Sequence, residues 1–144
     1  MQLMNIYWGA ESGRVLVPTM AKTEAGFWLE MDPVEEAAAA DANSIASALQ
    51  RCASRATPVI PTPNRSELLE WVVGKAAKKR KPRDFENEYE LLSVEHRSGD
   101  SYLIRKHHRS KEGRGYEPER DPRLILSSES SFLEIAAALQ SIAD

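Results

Sequence analysis

A chain of 144 residues with one cysteine, three histidines and seven singly scattered glycines has few of the parts that most chemistry needs. Cys52 alone cannot build a disulfide framework, the pattern of a chain kept in a reducing compartment, and there is no second thiolate for a zinc set. The histidines are His96, His107 and His108; neighbours on a strand point to opposite faces, so His107 and His108 cannot together hold one metal ion. The glycines form no phosphate-cradling loop, and Ser127, Ser128, Ser130 and Ser131 read as loop and helix-cap residues rather than nucleophiles. No stretch approaches the ~18 apolar residues of a membrane span. The opening Met1 to Trp8 lacks the charged flank and apolar run of a signal peptide, so the cytoplasm is the expected compartment. Neither an enzyme nor a cofactor or metal site is expected.

The composition is that of a globular domain, 42% hydrophobic and 28% charged, and the length suits a single domain over residues 1–144. The net charge of −3 is too small to mark a nucleic-acid binder, but the charges are clustered. Glu24, Glu30, Asp32, Glu35, Glu36 and Asp41 form an acidic block free of bases. Lys75, Lys78, Lys79, Arg80, Lys81 and Arg83 form a basic run free of acids, and Arg105, Lys106, Arg109, Lys111 and Arg114 gather around the histidine pair. Such runs are commonly solvated faces. Read functionally, the acidic block would steer a basic partner, whereas Lys78, Lys79, Arg80, Lys81 and Arg83, with Trp71 and Phe85 nearby, would suit phosphate and base stacking.

Two apolar, β-branched runs, Leu3 to Trp8 and Val15 to Met20, flank a glycine-bearing reversal and predict a β-hairpin. Pro18 has no amide hydrogen, so the second strand must there be an edge or carry a bulge. Phe27 to Met31 predicts a third short strand. Val34 to Arg55 is read as the first helical region: Ile45, Ala48, Leu49 and Cys52 share one face, Asp41 or Asn43 can cap, and Ala37 to Ala40 is either an earlier turn or a loop. On that face Cys52 is a small core residue. The prolines between Ala56 and Asn64 impose an extended segment. For Leu68 to Val73, Asn64 and Glu67 could cap a helix, but Trp71, Val72, Val73 and Gly74 favour a strand. Pro82 suits the first turn of a short helix through Glu88. Tyr89 to Glu95 and Ser101 to Lys106 predict a second hairpin, and residues 107–122, rich in charge and glycine, an exposed loop. Leu124 to Leu126 is too brief to type. Ser131 and Glu134 make a capping box for an amphipathic helix carrying Phe132, Ile135, Ala136, Leu139 and Ile142. The expectation is an α+β fold: a mostly antiparallel sheet of five or six strands with two main helices, Asn43 to Arg55 and Phe132 to Ala143, packed on it.

Three segments carry a resemblance: Met4-Asn5-Ile6-Tyr7, the run Glu11-Ser12-Gly13-Arg14-Val15-Leu16-Val17-Pro18-Thr19-Met20-Ala21-Lys22-Thr23, and Gly26-Phe27-Trp28. With Pro58-Val59-Ile60-Pro61-Thr62-Pro63, this part of the chain resembles small bacterial immunity proteins of contact-dependent growth inhibition systems. The resemblance implies a non-catalytic protein that binds and neutralises a cognate toxin domain. Where the toxin is a nuclease with a basic cleft, the six acids of the block would be the partner-facing charges. The rival reading is a nucleic-acid-associated module acting through the basic run.

Overall fold

The computed structural model describes residues 2–55, 59–64, 70–97, 99–113 and 115–143. The expected hairpin is β1 (Gln2–Gly9) and β2 (Arg14–Thr23), closed by a bond from Gly13 N–H to the Gly9 carbonyl at 2.8 Å. Gly13 has φ of 70°, a conformation that suits glycine. The two strands share a short ladder, from Tyr7↔Leu16 to Gly9↔Arg14, and then part. β2 continues against β3 (Trp28–Ala38), with a register shift at Pro18. Pro18 faces Val34 and Thr19 faces Met31, so Asp32 and Pro33 bulge out of the ladder. The proline thus takes the bulge option. β1 instead keeps its full length against β5 (Glu90–His96), from Gln2↔His96 to Trp8↔Glu90.

The edge of β2 that β1 vacates is taken by β4 (Val59–Ile60), which pairs in parallel at Lys22 and Thr23. The second hairpin joins β5 to β6 (Tyr102–Arg109), whose outer edge carries β7 (Tyr116–Pro118) and β8 (Leu124–Leu126). The fold is α+β with one mostly antiparallel sheet, in the order β3-β2-β1-β5-β6-β7 with β4 beside β2 and β8 beside β6.

Strand alternation gives this sheet two differently covered faces. Met4, Ile6 and Trp8 of β1, with Val15, Val17, Leu92, Val94 and Ile104, meet two helices on one face: α1 (Ala42–Ser54) through Ile45, Ala48 and Leu49, and α4 (Phe132–Ile142) through Ile135, Ala136 and Leu139. Each fully buried Leu or Ile here contributes about 1.5–3 kcal/mol of transfer free energy. Asp41 caps α1, accepting from Asn43 N at 3.0 Å and Ser44 N at 3.2 Å, and the expected capping box of Ser131 and Glu134 starts α4. Cys52 donates its thiol to the Val17 carbonyl at 3.4 Å, and burial pushes that thiol up.

On the other face Tyr7, Leu16 and Leu91 are covered by α2 (Val72–Ala76) and α3 (Pro82–Glu88), through Val72, Val73 and Phe85. This cover reaches only part of the face.

The expected element list needs five corrections. The sheet has eight strands rather than five or six, because short pieces such as β4, β7 and β8 add to its edges. Among the described residues there are four helices, two of them of seven residues or fewer. Val34 to Ala38 is strand, not helix, since β2 supplies a ladder from Pro18↔Val34 to Arg14↔Ala38. Val72 to Ala76 is helix, not strand, because Gly74 lets the Trp71 ring fold over the turn; Leu68 and Leu69 lie outside the described residues. Finally, residues 107–109 and 116–118 are paired strands, so the expected 107–122 loop is part sheet. Its lack of apolar periodicity reflects polar side chains satisfied on the ladder, such as His107 against Ser93 Oγ at 2.9 Å and His108 against Glu119 at 2.6 Å. Among the described residues no helix is long and apolar enough to cross a membrane.

Candidate functional site

The parting of β1 and β2 opens a cleft on the partly covered face. Its volume is about 890 Å³, within the range of ligand-binding sites. β1 supplies Leu3, Asn5 and Tyr7, which share a face because they are two apart; β3 supplies Trp28 to Asp32; and the chain around β4 and before α2 closes the sides with Ile60, Pro61 and Trp71. The Trp71 ring stands edge-on to Phe85, 5.5 Å between centroids, and lies so close to Gly74 that a Cβ there would come within 2.2 Å of it.

Glu30 is the polar centre. Its Oε2 accepts a bond from the Tyr7 hydroxyl at 2.6 Å and another from Asn5 Nδ2 at 2.9 Å, while Oε1 has no hydrogen-bond partner among the described residues. Burial pushes the Glu30 carboxyl above its ordinary range, against the opposing effect of its two donors. Burial together with the adjacent carboxylate pushes the Tyr7 phenol up as well, so Tyr7 stays a donor. Among the described residues, Asp32 and Glu70 are the other acids of the lining, and none of the lining residues is Lys, Arg or His. Outside it, Lys75 pairs with Glu70 at 2.9 Å, and the Lys22 ammonium sits 5.7 Å from the centre of the Trp28 ring.

The six acids expected as one partner-facing block are not one surface, because β3 alternates and bulges within it. Glu30 and Asp32 line the cleft, and Glu24 lies exposed in the turn before β3. Glu35 points toward α1, where Arg51 reaches it at 2.8 Å and Arg55 also binds it; these guanidinium groups hold its carboxyl below the usual range. Glu36 points the other way and pairs with Arg14. Asp41 is spent on the α1 cap. Glu35, Glu36 and Asp41 thus each have a partner within the chain.

The basic run spans the end of α2, the turn after it and the start of α3. Lys78 has φ of 59°, Lys79 pairs with Glu88 at 2.7 Å, and Lys81 stands at the N-cap position of α3 with no capping bond from its side chain. Arg80 flanks Trp71 and Phe85, and Arg83 is exposed. The stacking platform expected beside them is not available on Phe85, which is 2% exposed and stacked on Tyr89 at 4.8 Å.

Of the residues named from sequence, Glu30 and Asp32 line this cleft, as does Trp71, which the sequence assigns to the stacking face instead; Asn5, Tyr7 and Trp28 are not named there as site residues. One signal was present: Asn5 is a polar residue inside an otherwise apolar strand. Among the described residues, no group of three or more His, Cys, Asp or Glu is arranged to hold a metal ion.

No protein-family model matches the chain, and no curated protein matches it. Among solved structures it is similar to a protein of unknown function, NMB0488, from Neisseria meningitidis, with a TM-score of 0.64 and 13% sequence identity over 96% of this chain and 92% of that one. At that identity the likeness is one of fold, which does not carry function with it.

Proposed function

We propose that this chain is a cytoplasmic protein-binding module, an immunity protein that neutralises a cognate bacterial toxin by holding part of it in the Glu30 cleft. The observation that supports this reading is the cleft's lining: among the described residues it holds three carboxylates and no base, set among two tryptophans and aliphatic side chains. Buried aromatic anchors beside complementary charge are what a tight protein interface uses. The toxin as partner comes from the resemblance of the opening part of the chain to immunity proteins, and a nuclease toxin, whose substrate groove is basic, is the partner that best fits an acidic cleft. The protein acts by occupying its partner, not by turning over a substrate.

The test is to look in the neighbouring reading frame for a large secreted protein with a toxic C-terminal end, and to co-express that domain with this chain. Protection of the host cell is expected, and its loss in Trp71→Ala with the fold retained. Unprotected cells, together with binding to a generic DNA or RNA duplex that fades steeply with salt, would favour the nucleic-acid reading through Lys78, Lys79, Arg80, Lys81 and Arg83 instead.

A further inference from the structure

We infer that the Glu30 cleft is a receptor for an arginine side chain carried on the partner's surface. The inference depends on the protein-binding reading only for the source of the arginine; the chemistry of the receptor stands on the cleft itself. Three features converge on a cation of this shape.

The first is the unfilled acceptor. Tyr7 and Asn5 both bind Oε2 and so fix the plane of the Glu30 carboxylate, leaving Oε1 without a partner among the described residues. This oxygen is not among the buried unpaired polar atoms, so water reaches it, and an incoming N–H donor would replace that water with a charge-assisted hydrogen bond. The second is the sign of the surroundings: Asp32 lies on the same lining with no ion pair among the described residues, Glu70 beside it is paired with Lys75, and no described lining residue is a base. The third is the aromatic wall. Trp71 retains 36% exposure while its ring packs over Gly74 and makes a T-shaped contact with Phe85, and the Trp28 ring already attracts the Lys22 ammonium at 5.7 Å. An indole face next to a carboxylate stabilises a cation by its quadrupole as well as by charge.

Arginine satisfies all three at once. Its planar guanidinium can lie on an indole while its N–H groups reach Oε1, whereas a quaternary ammonium has no N–H to give and leaves that oxygen unpaired. At about 890 Å³ the cleft exceeds one side chain, so the arginine is expected on a loop whose flanking apolar residues meet Leu3, Met31 and Ile60.

The experiment titrates the full chain with acetyl-Gly-Arg-Gly-amide, using the citrulline peptide and choline chloride as controls and the three tryptophan indole N–H signals in NMR as readout. Saturable movement of the Trp28 and Trp71 signals is expected with the arginine peptide, while Trp8, buried in the opposite core, stays put. Glu30→Gln should weaken the peptide at least fivefold, and Asp32→Asn, at the exposed rim, two- to threefold. Equal binding of the citrulline peptide, tighter binding of choline, or movement of Trp8 alone overturns the inference. A chain that protects against its toxin yet ignores the arginine peptide overturns the inference and leaves the proposed function standing. A chain that takes the peptide and protects against nothing does the reverse.

Discussion

Tyr7 donates its hydroxyl to Glu30 Oε2 at 2.6 Å, joining β1 to β3, two strands that share no ladder because β2 lies between them in the sheet order. The bond forms across the place where β1 and β2 have parted, so it helps fix the width of the cleft. It also draws a carboxylate away from water, and the consequence for stability can be measured.

Burial raises the Glu30 carboxyl above its ordinary 4.5, so the folded chain holds this proton to higher pH than the unfolded chain does. Folded protein therefore binds more protons than unfolded in that window, and stability falls as pH rises through it. The neutral isostere should remove this loss. Glu30→Gln keeps an oxygen for Tyr7 and Asn5, so it is expected to have a higher urea midpoint than wild type at pH 7, with the two converging at pH 4. A lower midpoint at pH 7 would mean that the charged form of the Tyr7 bond outweighs desolvation. A variant that is more stable yet weaker for its partner is the signature of a binding group held at the expense of the fold.

His107 acts with the opposite sign. Burial, with Arg105 and His108 nearby, lowers it from 6.5 to about 4, while Glu119 opposes and Ser93 Oγ bonds its Nε2. Between those values the unfolded chain binds a proton that the folded chain refuses, so stability should drop as pH falls from 6.5 toward 4. His107→Gln is expected to flatten that part of the urea midpoint profile, and an unchanged slope would assign the acid loss to other groups, such as Glu35.

The parts of the fold that were legible are those whose causes are local. The two hairpins announce themselves through turn residues between β-branched runs, and α1 and α4 through spacing and caps that a few neighbouring residues settle. The cleft was not legible, because it depends on Pro18 lacking an amide hydrogen and on β4, remote in sequence, taking the edge that β1 leaves. Glu30 could be named as an acid of interest, yet nothing near it in the chain indicates Tyr7 as its donor. The acidic block misled for a related reason: proximity in sequence on a strand means opposite faces, so Glu35 and Glu36 serve different cations. Val72 to Ala76 misled because β-branched residues and tryptophan favour strand on average, and the packing of Trp71 over Gly74 overrode that average.

That packing supplies a test of the cleft wall. A methyl group at Gly74 would lie 2.2 Å from one carbon of the Trp71 ring and 2.3 Å from another, and a ring cannot flex aside as a long aliphatic chain can. Gly74→Ala is thus expected to cost about 1–3 kcal/mol in chemical denaturation, the range for overpacking. It should also shift the Trp71 indole signal while leaving Trp8 alone. A neutral substitution would show that Trp71 leaves the turn readily, and the wall with it.

Among the acids, structure and binding should separate cleanly. Asp41→Ala removes the side chain that accepts from Asn43 N and Ser44 N, so it is expected to cost about 1 kcal/mol of stability with partner affinity unchanged. Asp32→Lys should do the converse: it lies exposed in the bulge of β3 with no ion pair among the described residues, so stability should move by less than about 0.5 kcal/mol. Placed at the cleft rim, however, the new ammonium would repel a basic partner and slow its association, most strongly at low salt where screening is weak. Association rates across a salt series, measured beside urea midpoints for both variants, decide the matter. If Asp41→Ala slowed association and Asp32→Lys did not, the partner would be meeting the start of α1 and not the opening between β1 and β2.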